Sequence, residues 1–83
     1  KTFDWPVGKC LYVNANAEGG MIRVAVLDEQ GKAIKGWESS QQTVGDQLRG
    51  EVIWSSGAPR SFQQPIRLQF TLRGAEIYSY WFE

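Results

Sequence analysis

The chain has 83 residues, of which 42 % are hydrophobic and 13 % aromatic, and its nine basic and nine acidic side chains give no formal net charge. This length fits one domain, and the apolar content argues against intrinsic disorder. The balanced charge argues against binding to nucleic acid or to an anionic membrane. The apolar runs are far shorter than the roughly 20 residues that span a bilayer, so we expect no transmembrane helix.

Apolar and polar residues alternate along most of the chain, and helical spacing is never sustained. This alternation predicts about six short antiparallel strands, at residues 9–14, 21–28, 32–34, 48–54, 66–73 and 77–82. The Asn- and Gly-rich residues 14–20 are predicted to form a turn, and the polar residues 38–46 and 55–65 to form surface connections. We predict an all-β fold with residues 1–83 as one domain: a small two-layer antiparallel β-sandwich, jelly-roll or immunoglobulin-like, with a small barrel as the alternative.

The alternation also predicts which side chains face the core. These are Leu11, Val13, Ile22, Val24, Val26, Leu48, Val52, Trp54, Ile66, Leu68, Phe70 and Leu72. Gly31 closes a predicted tight hairpin after Asp28. The last strand has bulky residues on both faces, which is typical of a strand in the middle of a sheet.

Residues suited to catalysis are scarce in this sequence. It has one cysteine, Cys10, and no histidine, so an intrachain disulfide and a multi-cysteine zinc site are excluded, and we expect a half-buried, inert thiol. Glycoside hydrolysis needs two carboxyl groups facing each other across a cleft, but the acidic residues lie in predicted turns or strand ends, except for the outward-facing Glu51. Asp28 and Glu29 are interpreted as a solvated turn rather than a cation-binding loop. We predict no catalytic residue, no metal site and no cofactor.

Four aromatic residues are the candidate ligand-binding residues: Trp5, Tyr12, Trp37 and Tyr80. They lie near predicted strand ends or opposite the regular apolar stripe. Exposed rings of this kind can stack on the apolar faces of sugars. Alternatively, a small domain without disulfides uses them to fill its core or to meet a neighbouring domain, or its exposed apolar face becomes an interface between copies.

A series of short motifs extends from Leu11 to Phe82. In order, they are Leu-x-Val-Asn-Ala, Gly-Gly-x-Ile-Arg-Val-x-Val-Leu-Asp-x-x-Gly-Lys, Gly-Trp, Gly-Asp, a strand ending in Trp, Pro-Ile-Arg-Leu-x-Phe and Ile-Tyr-Ser-Tyr-Trp. The series resembles the β-sandwich module at the C-terminal end of many bacterial proteins that carry an N-terminal five-bladed propeller related to glycoside hydrolases.

The resemblance implies a non-catalytic accessory domain whose propeller lies in a part of the polypeptide outside this chain. The matching residues Asp28, Gly31, Asp46, Trp54 and Tyr78 are structural under this resemblance. The first residue is Lys rather than Met, which we interpret as a processed or excised segment. A secreted or periplasmic location follows if the resemblance holds, and a cytoplasmic one if the chain is a free-standing orphan protein.

These observations lead to three hypotheses about function. The first is an accessory module that packs on a glycoside-hydrolase-like propeller and stabilises it. The second is a carbohydrate-binding module that uses Trp37 and Trp5 as its main stacking platforms for a polysaccharide. The third is a free-standing protein that self-associates through an apolar face.

Overall fold

The computed structural model describes residues 2–57, 59 and 61–83. In these ranges the chain forms four strands and no helix. The strands are β1 (Leu11–Leu27), β2 (Thr43–Val52), β3 (Arg67–Arg73) and β4 (Glu76–Phe82). They make one antiparallel sheet, which confirms the all-β antiparallel prediction, whereas the two-layer arrangement of about six strands is not confirmed. Lys1 lies outside the described residues, as do Ala58 and Arg60 of the predicted connection 55–65.

The long strand β1 is the centre of the sheet. Strand β2 pairs along one of its edges, with Leu11 opposite Val52. Strands β3 and β4 follow one another along the other edge: β3 pairs with the second half of β1, and β4 pairs with the first half. Together they act as one long partner strand that is interrupted between Arg73 and Glu76.

Residues 14–20 lie within β1, so the prediction of a turn there is wrong. The buried positions change phase across this segment, from odd numbers ending at Ala17 to even numbers starting at Ile22. The pairing with β2 shifts register at the same place. The segment is therefore an irregularity inside a strand, of the kind that bends a strand without ending it.

Gly20 is required at this irregularity. A Cβ atom added to it would overlap the carbonyl oxygen of Arg73 and would lie 2.6 Å from the carbonyl oxygen of Gly74. Gly74 itself has a positive φ of 58°, a conformation that favours glycine. The two glycines therefore allow β1 and the β3–β4 connection to approach each other closely.

The core contains side chains from both halves of β1. Its buried apolar members are Trp5, Leu11, Val13, Ala15, Ala17, Ile22, Val24, Val26, Val52, Trp54 and Ile66. Trp54 follows β2, yet its indole Nε1 donates a hydrogen bond of 3.0 Å to the carbonyl oxygen of Val24 in the second half of β1. The bend in β1 therefore lets one sheet surround a single core.

Two predictions of core-facing residues are wrong. Leu48 is 78 % exposed, because the β1–β2 register shifts between Val13 and Ala15 and places Leu48 at the irregularity. Leu72 is 41 % exposed although it lies opposite the buried Ile22. The inward face of β3 is therefore only partly covered.

Residues 28–42 line the remaining edge of β1. Asp28 Oδ1 accepts hydrogen bonds from the backbone N–H groups of Gln30 and Lys32, and Gly31 has a positive φ of 84°, which confirms the tight turn. The predicted strand 32–34 is reduced to a single bridge between Leu27 and Ala33.

The predicted surface connection 38–46 is only partly exposed. Ser40 and Thr43 are buried, and β2 already begins at Thr43. The backbone N–H of Ser40 donates to the carbonyl oxygen of Val24, and Ser40 Oγ accepts a bond of 2.8 Å from the N–H of Val24. At Val26, the backbone N–H donates to the carbonyl oxygen of Trp37, and the carbonyl oxygen accepts a hydrogen bond from the N–H of Ile34. This segment thus satisfies the buried backbone groups of β1 where no named strand pairs with it.

The prediction that the last strand is central is wrong as well. Within the described residues, β4 pairs only with β1, so it is an edge strand. The reason is that β1 occupies the central position itself and has β2 on its opposite edge.

We expect Ser40→Ala to lower the free energy of unfolding by about 1–3 kcal/mol, because it leaves the buried N–H of Val24 without an acceptor. Urea unfolding measures the change. The matched control is Ser39→Ala, because Ser39 is exposed, and its effect should stay within about 0.5 kcal/mol. Equal effects of the two substitutions would show that the Ser40 hydroxyl does not stabilise this edge.

Candidate functional site

Trp5 is a core residue. It is 3 % exposed, and its indole Nε1 donates a bond of 3.1 Å to the carbonyl oxygen of Lys9. Its ring meets the rings of Trp54, Phe62 and Phe82 edge-on, with centroid distances between 4.9 and 6.4 Å. This burial leaves no open ring face for a sugar and removes Trp5 from the candidate ligand-stacking residues.

Trp37 belongs to the same aromatic cluster. It is half-buried, and its ring packs edge-on against Trp54 at 5.8 Å and against Phe62 at 5.9 Å. The structure therefore brings Trp5 and Trp37 together, but around Trp54 in the interior rather than on an open surface. Edge-to-face contacts of this kind stabilise a small core beyond the area that they bury.

Tyr12 lies on the outer face of the sheet, where it is half-buried between neighbours from both flanking strands. Trp81 on β4 stacks against it at 6.2 Å with an interplanar angle of 19°. The Arg49 guanidinium on β2 lies 4.3 Å from its centroid, in a cation–π contact. Both neighbours compete with a sugar for the ring of Tyr12.

Glu83 joins the two ends of this stack. Its carboxylate accepts bonds of 3.2 and 2.7 Å from Nε and Nη2 of Arg49 and one of 2.6 Å from Nε1 of Trp81. The bonds from Arg49, followed by the one from Trp81, lower the pKa of Glu83 from 4.5 to about 2. The same pair raises the pKa of Arg49. We call the four residues Tyr12, Arg49, Trp81 and Glu83 the outer stack.

Three members of the outer stack, Arg49, Trp81 and Glu83, were not identified from the sequence. The pairing of Tyr12 with Trp81 could have found Trp81, since directly opposed residues share a face, whereas Arg49 and Glu83 are not directly opposite Tyr12. That register depends on irregularities in both flanking strands. The outer stack ties β2, β1 and β4 together, and its polar groups bond to one another.

Tyr80 is the only one of the four candidates with a widely exposed ring. It is 48 % exposed and lies 5.1 Å from the ring of Phe70 at an angle of 42°. It lies opposite the buried Val13, on the inner face, whereas Tyr12 is on the outer face. The four predicted residues therefore do not converge on one site.

A shallow polar cleft of about 260 Å³ lies at the bend of the sheet. It is lined by Asn16, Glu18, Gly74, Ala75 and Glu76. In the described part of the chain, no group of three or more His, Cys, Asp or Glu side chains is placed to hold a metal ion. Cys10 is half-buried, as expected. No helix in residues 2–57, 59 and 61–83 is long and apolar enough to cross a membrane.

Comparisons with protein-family models, with curated proteins and with solved structures find no match to this chain. The resemblance to the propeller-associated module therefore rests on the sequence motifs and stays a prediction.

The low pKa of Glu83 predicts a defined pH dependence. Because the folded-state pKa is lowered, the stabilisation from the Arg49–Glu83 pair is fully present above pH 4.5 and is lost as the pH falls from 4.5 through about 2. We expect Arg49→Gln to raise the pKa of Glu83 towards 4.5, since the bonds from Arg49 are the largest cause of the shift. Carbon-13 NMR of the carboxyl groups measures the pKa of Glu83 in the wild-type chain and in Arg49→Gln.

Trp81→Phe serves as the graded comparison. It keeps an aromatic ring beside Tyr12 but removes the indole N–H, so it should raise the pKa of Glu83 by less than Arg49→Gln does. An unchanged Glu83 pKa in both variants would show that the outer stack does not form in solution.

Proposed function

We propose that the chain is a non-catalytic β-sandwich accessory module of the kind attached to glycoside-hydrolase-like propeller proteins, and that it stabilises a neighbouring domain by packing against it. The two halves of the bent sheet act as the two layers. In support of this assignment, inward side chains from both halves of β1, such as Val13 and Val24, belong to the same buried cluster.

The distribution of aromatic rings supports a structural role over ligand binding. Trp5 and Trp54 are buried, Trp37 packs against Trp54, and Tyr12 is half-buried against its neighbours in the outer stack. A carbohydrate site needs ring faces that are open to solvent. Most of the ring faces on which such a site could be built are already used inside this domain.

The observation that carries the proposal is a set of three exposed aliphatic side chains on and next to β2. Val44 is 50 % exposed, Leu48 78 % and Ile53 37 %. Thr43 and Val52, which neighbour Val44 and Ile53 in sequence, are buried, so the alternation of the strand directs the exposed residues away from the core. Covering three aliphatic side chains is favourable, because full burial of one contributes about 1.5–3 kcal/mol. A neighbouring domain of the same polypeptide provides such cover.

The first test is the gene. We expect the reading frame immediately upstream of this chain to encode a five-bladed propeller. In that longer protein, Leu48→Ser should lower the thermal midpoint, because it weakens the contact between the two domains. In the 83-residue chain alone the same substitution should change stability by no more than about 0.5 kcal/mol, since Leu48 is exposed there. Calorimetry measures both.

Val7→Ser is the matched control, because Val7 is 79 % exposed but lies outside the four strands. Val7→Ser should change neither the thermal midpoint of the longer protein nor the stability of the 83-residue chain. A stop codon and an independent start immediately upstream would refute the accessory role and favour a free-standing protein.

Carbohydrate binding is the second candidate function, and the exposed Tyr80 ring beside Phe70 is the observation that favours it. Since only one of the four candidate rings is widely exposed, we expect the chain to bind no polysaccharide on a glycan array. Binding that Tyr80→Ser abolishes, and that Tyr78→Ser leaves intact, would reverse the order of the two candidates. Tyr78 is a suitable control because it is 58 % exposed on the same strand.

A further inference from the structure

The β3–β4 edge of the sheet, residues 66–83, has backbone groups that point away from β1. At the start of β3, Ile66 exchanges both backbone hydrogen bonds with Phe3. Phe3 is not part of β1, so the N–H and C=O groups of Ile66 point outwards. Backbone direction alternates along a strand, so Leu68, Phe70 and Leu72 also point their backbone groups outwards.

The same reasoning applies to β4. Glu83 exchanges both backbone hydrogen bonds with Cys10, so its backbone groups point towards the strand that continues into β1. By alternation, the backbone groups of Phe82 and Tyr80 point outwards. Within the described residues, no strand pairs with the outer edge of β3 or β4, and Phe3 bridges it only at Ile66.

Apolar side chains accompany these outward-pointing backbone groups. On the inner face of the β3–β4 edge, Leu72 is 41 % and Tyr80 is 48 % exposed, and Phe70 and Ile77 are half-buried beside them. A long edge with exposed apolar side chains is a template for pairing with another strand.

The charges along this edge are divided between its two strands. Strand β3 carries Arg67 and Arg73, and it has no acidic residue. Strand β4 begins with Glu76 and has no basic residue, and the carboxylate of Glu83, which follows it, is already paired with Arg49. At the β3–β4 connection the edge therefore carries the basic Arg73 on one side and the acidic Glu76 on the other, which makes it complementary to an antiparallel second copy of itself.

We propose that a second copy of this chain docks on the β3–β4 edge, with β3 of one protomer pairing antiparallel with β4 of its partner about a two-fold axis near Gly74 and Ala75. This axis makes the interface self-complementary, as a closed dimer requires. It also places Arg73 opposite Glu76 of the partner subunit.

The side chains that meet in this pairing share the same face. Arg73 lies opposite Met21, and Glu76 opposite Asn16, so both project from the outer face and their charges meet there. Leu72 and Ile77 lie opposite the buried Ile22 and Ala15, respectively. They both project from the inner face, where Leu72 meets Ile77 of the partner subunit.

Because of the one-residue irregularity in β4, residues that lie further from the two-fold axis also meet partner residues of the same face. Asn14 pairs with Ser79 and Ala15 pairs with Ile77, so Tyr78 is the extra residue. With that one-residue offset, Phe70 lies opposite Tyr80 of the partner subunit, and both are inner-face residues.

Charge also decides against the other symmetric pairings of this edge. Pairing β3 with β3 of a second copy brings Arg67 near the partner's Arg73. Pairing β4 with β4 leaves Glu76 without Arg73 of the other copy. Like charges directly opposed across strands are destabilising, and contacts between Arg73 and Glu76 form only when β3 pairs with β4, so this is the favoured arrangement.

Sedimentation velocity over a concentration series tests the proposal. We expect a dimer of twice 9.4 kDa at about 100 μM. Leu72→Lys should convert it to a monomer by placing a charge on the inner face. Arg73→Glu and Glu76→Arg should each raise the dissociation constant roughly tenfold or more, since each replaces two symmetric attractions with repulsions. In the double variant Arg73→Glu/Glu76→Arg, the dissociation constant should be close to that of the wild-type dimer.

Val44→Lys is the matched control, because Val44 is 50 % exposed on β2, at the opposite edge of β1. It should leave the dimer intact. A wild-type chain that stays monomeric up to about 1 mM overturns the proposal, as does a dimer that resists Leu72→Lys or a charge-swapped double variant that fails to recover. The upstream gene sequence does not enter into any of these outcomes, so the dimer and the accessory role can fail separately.

Discussion

The bend in β1 is the constraint on which the rest of the structure depends. A flat sheet of four strands leaves one apolar face in water, and the described residues form no helix that could cover it. Bending the central strand between Ala17 and Ile22 turns the two halves of that face towards each other. The bend requires β1 to approach the β3–β4 connection closely, and only glycine at position 20 leaves room for the carbonyl oxygen of Arg73.

The closed core follows from this bend, but the closure is unequal around β1. The edge of β1 near Val24 is covered by residues 34–40, and Trp54 crosses from the end of β2 to bond the same carbonyl oxygen as Ser40. At the β3–β4 edge, by contrast, Leu72 and Tyr80 remain partly open. The bend thus creates one well-covered side and one side that still exposes apolar surface and with which no strand of the described residues pairs.

Period-two alternation predicted the strand character and much of the core correctly, because it records which side chains share a face. It succeeded for Ile22, Val24 and Val26, where β1 is regular. It failed wherever a strand contains an irregularity. Asn and Gly at residues 14–20 are typical of a turn, and only the tertiary pairing of both flanking edges keeps that segment in a strand. Leu48 failed for the same reason, since one extra residue in β2 changes which side chains face inwards.

The candidate site could be predicted only as a set of residue types. The sequence marks Trp5, Tyr12, Trp37 and Tyr80 as aromatic residues outside the regular apolar stripe, but their environment depends on long-range contacts. Trp5 is buried by Trp54 and Phe82, which are distant in sequence. Tyr12 is half-buried because two different strands place Trp81 and Arg49 against its ring.

The two proposed interfaces use opposite edges of the same central strand. The exposed aliphatic residues of β2 lie on one side of β1, and the free edge of β3 and β4 lies on the other. Occupying one edge therefore leaves the other accessible, so a neighbouring domain and a second copy need not compete. The two surfaces also differ in what they offer a partner. The β2 surface provides exposed side chains for packing, whereas the β3–β4 edge provides outward-pointing backbone groups with an ordered charge pattern, which specifies both the direction and the register of a partner strand.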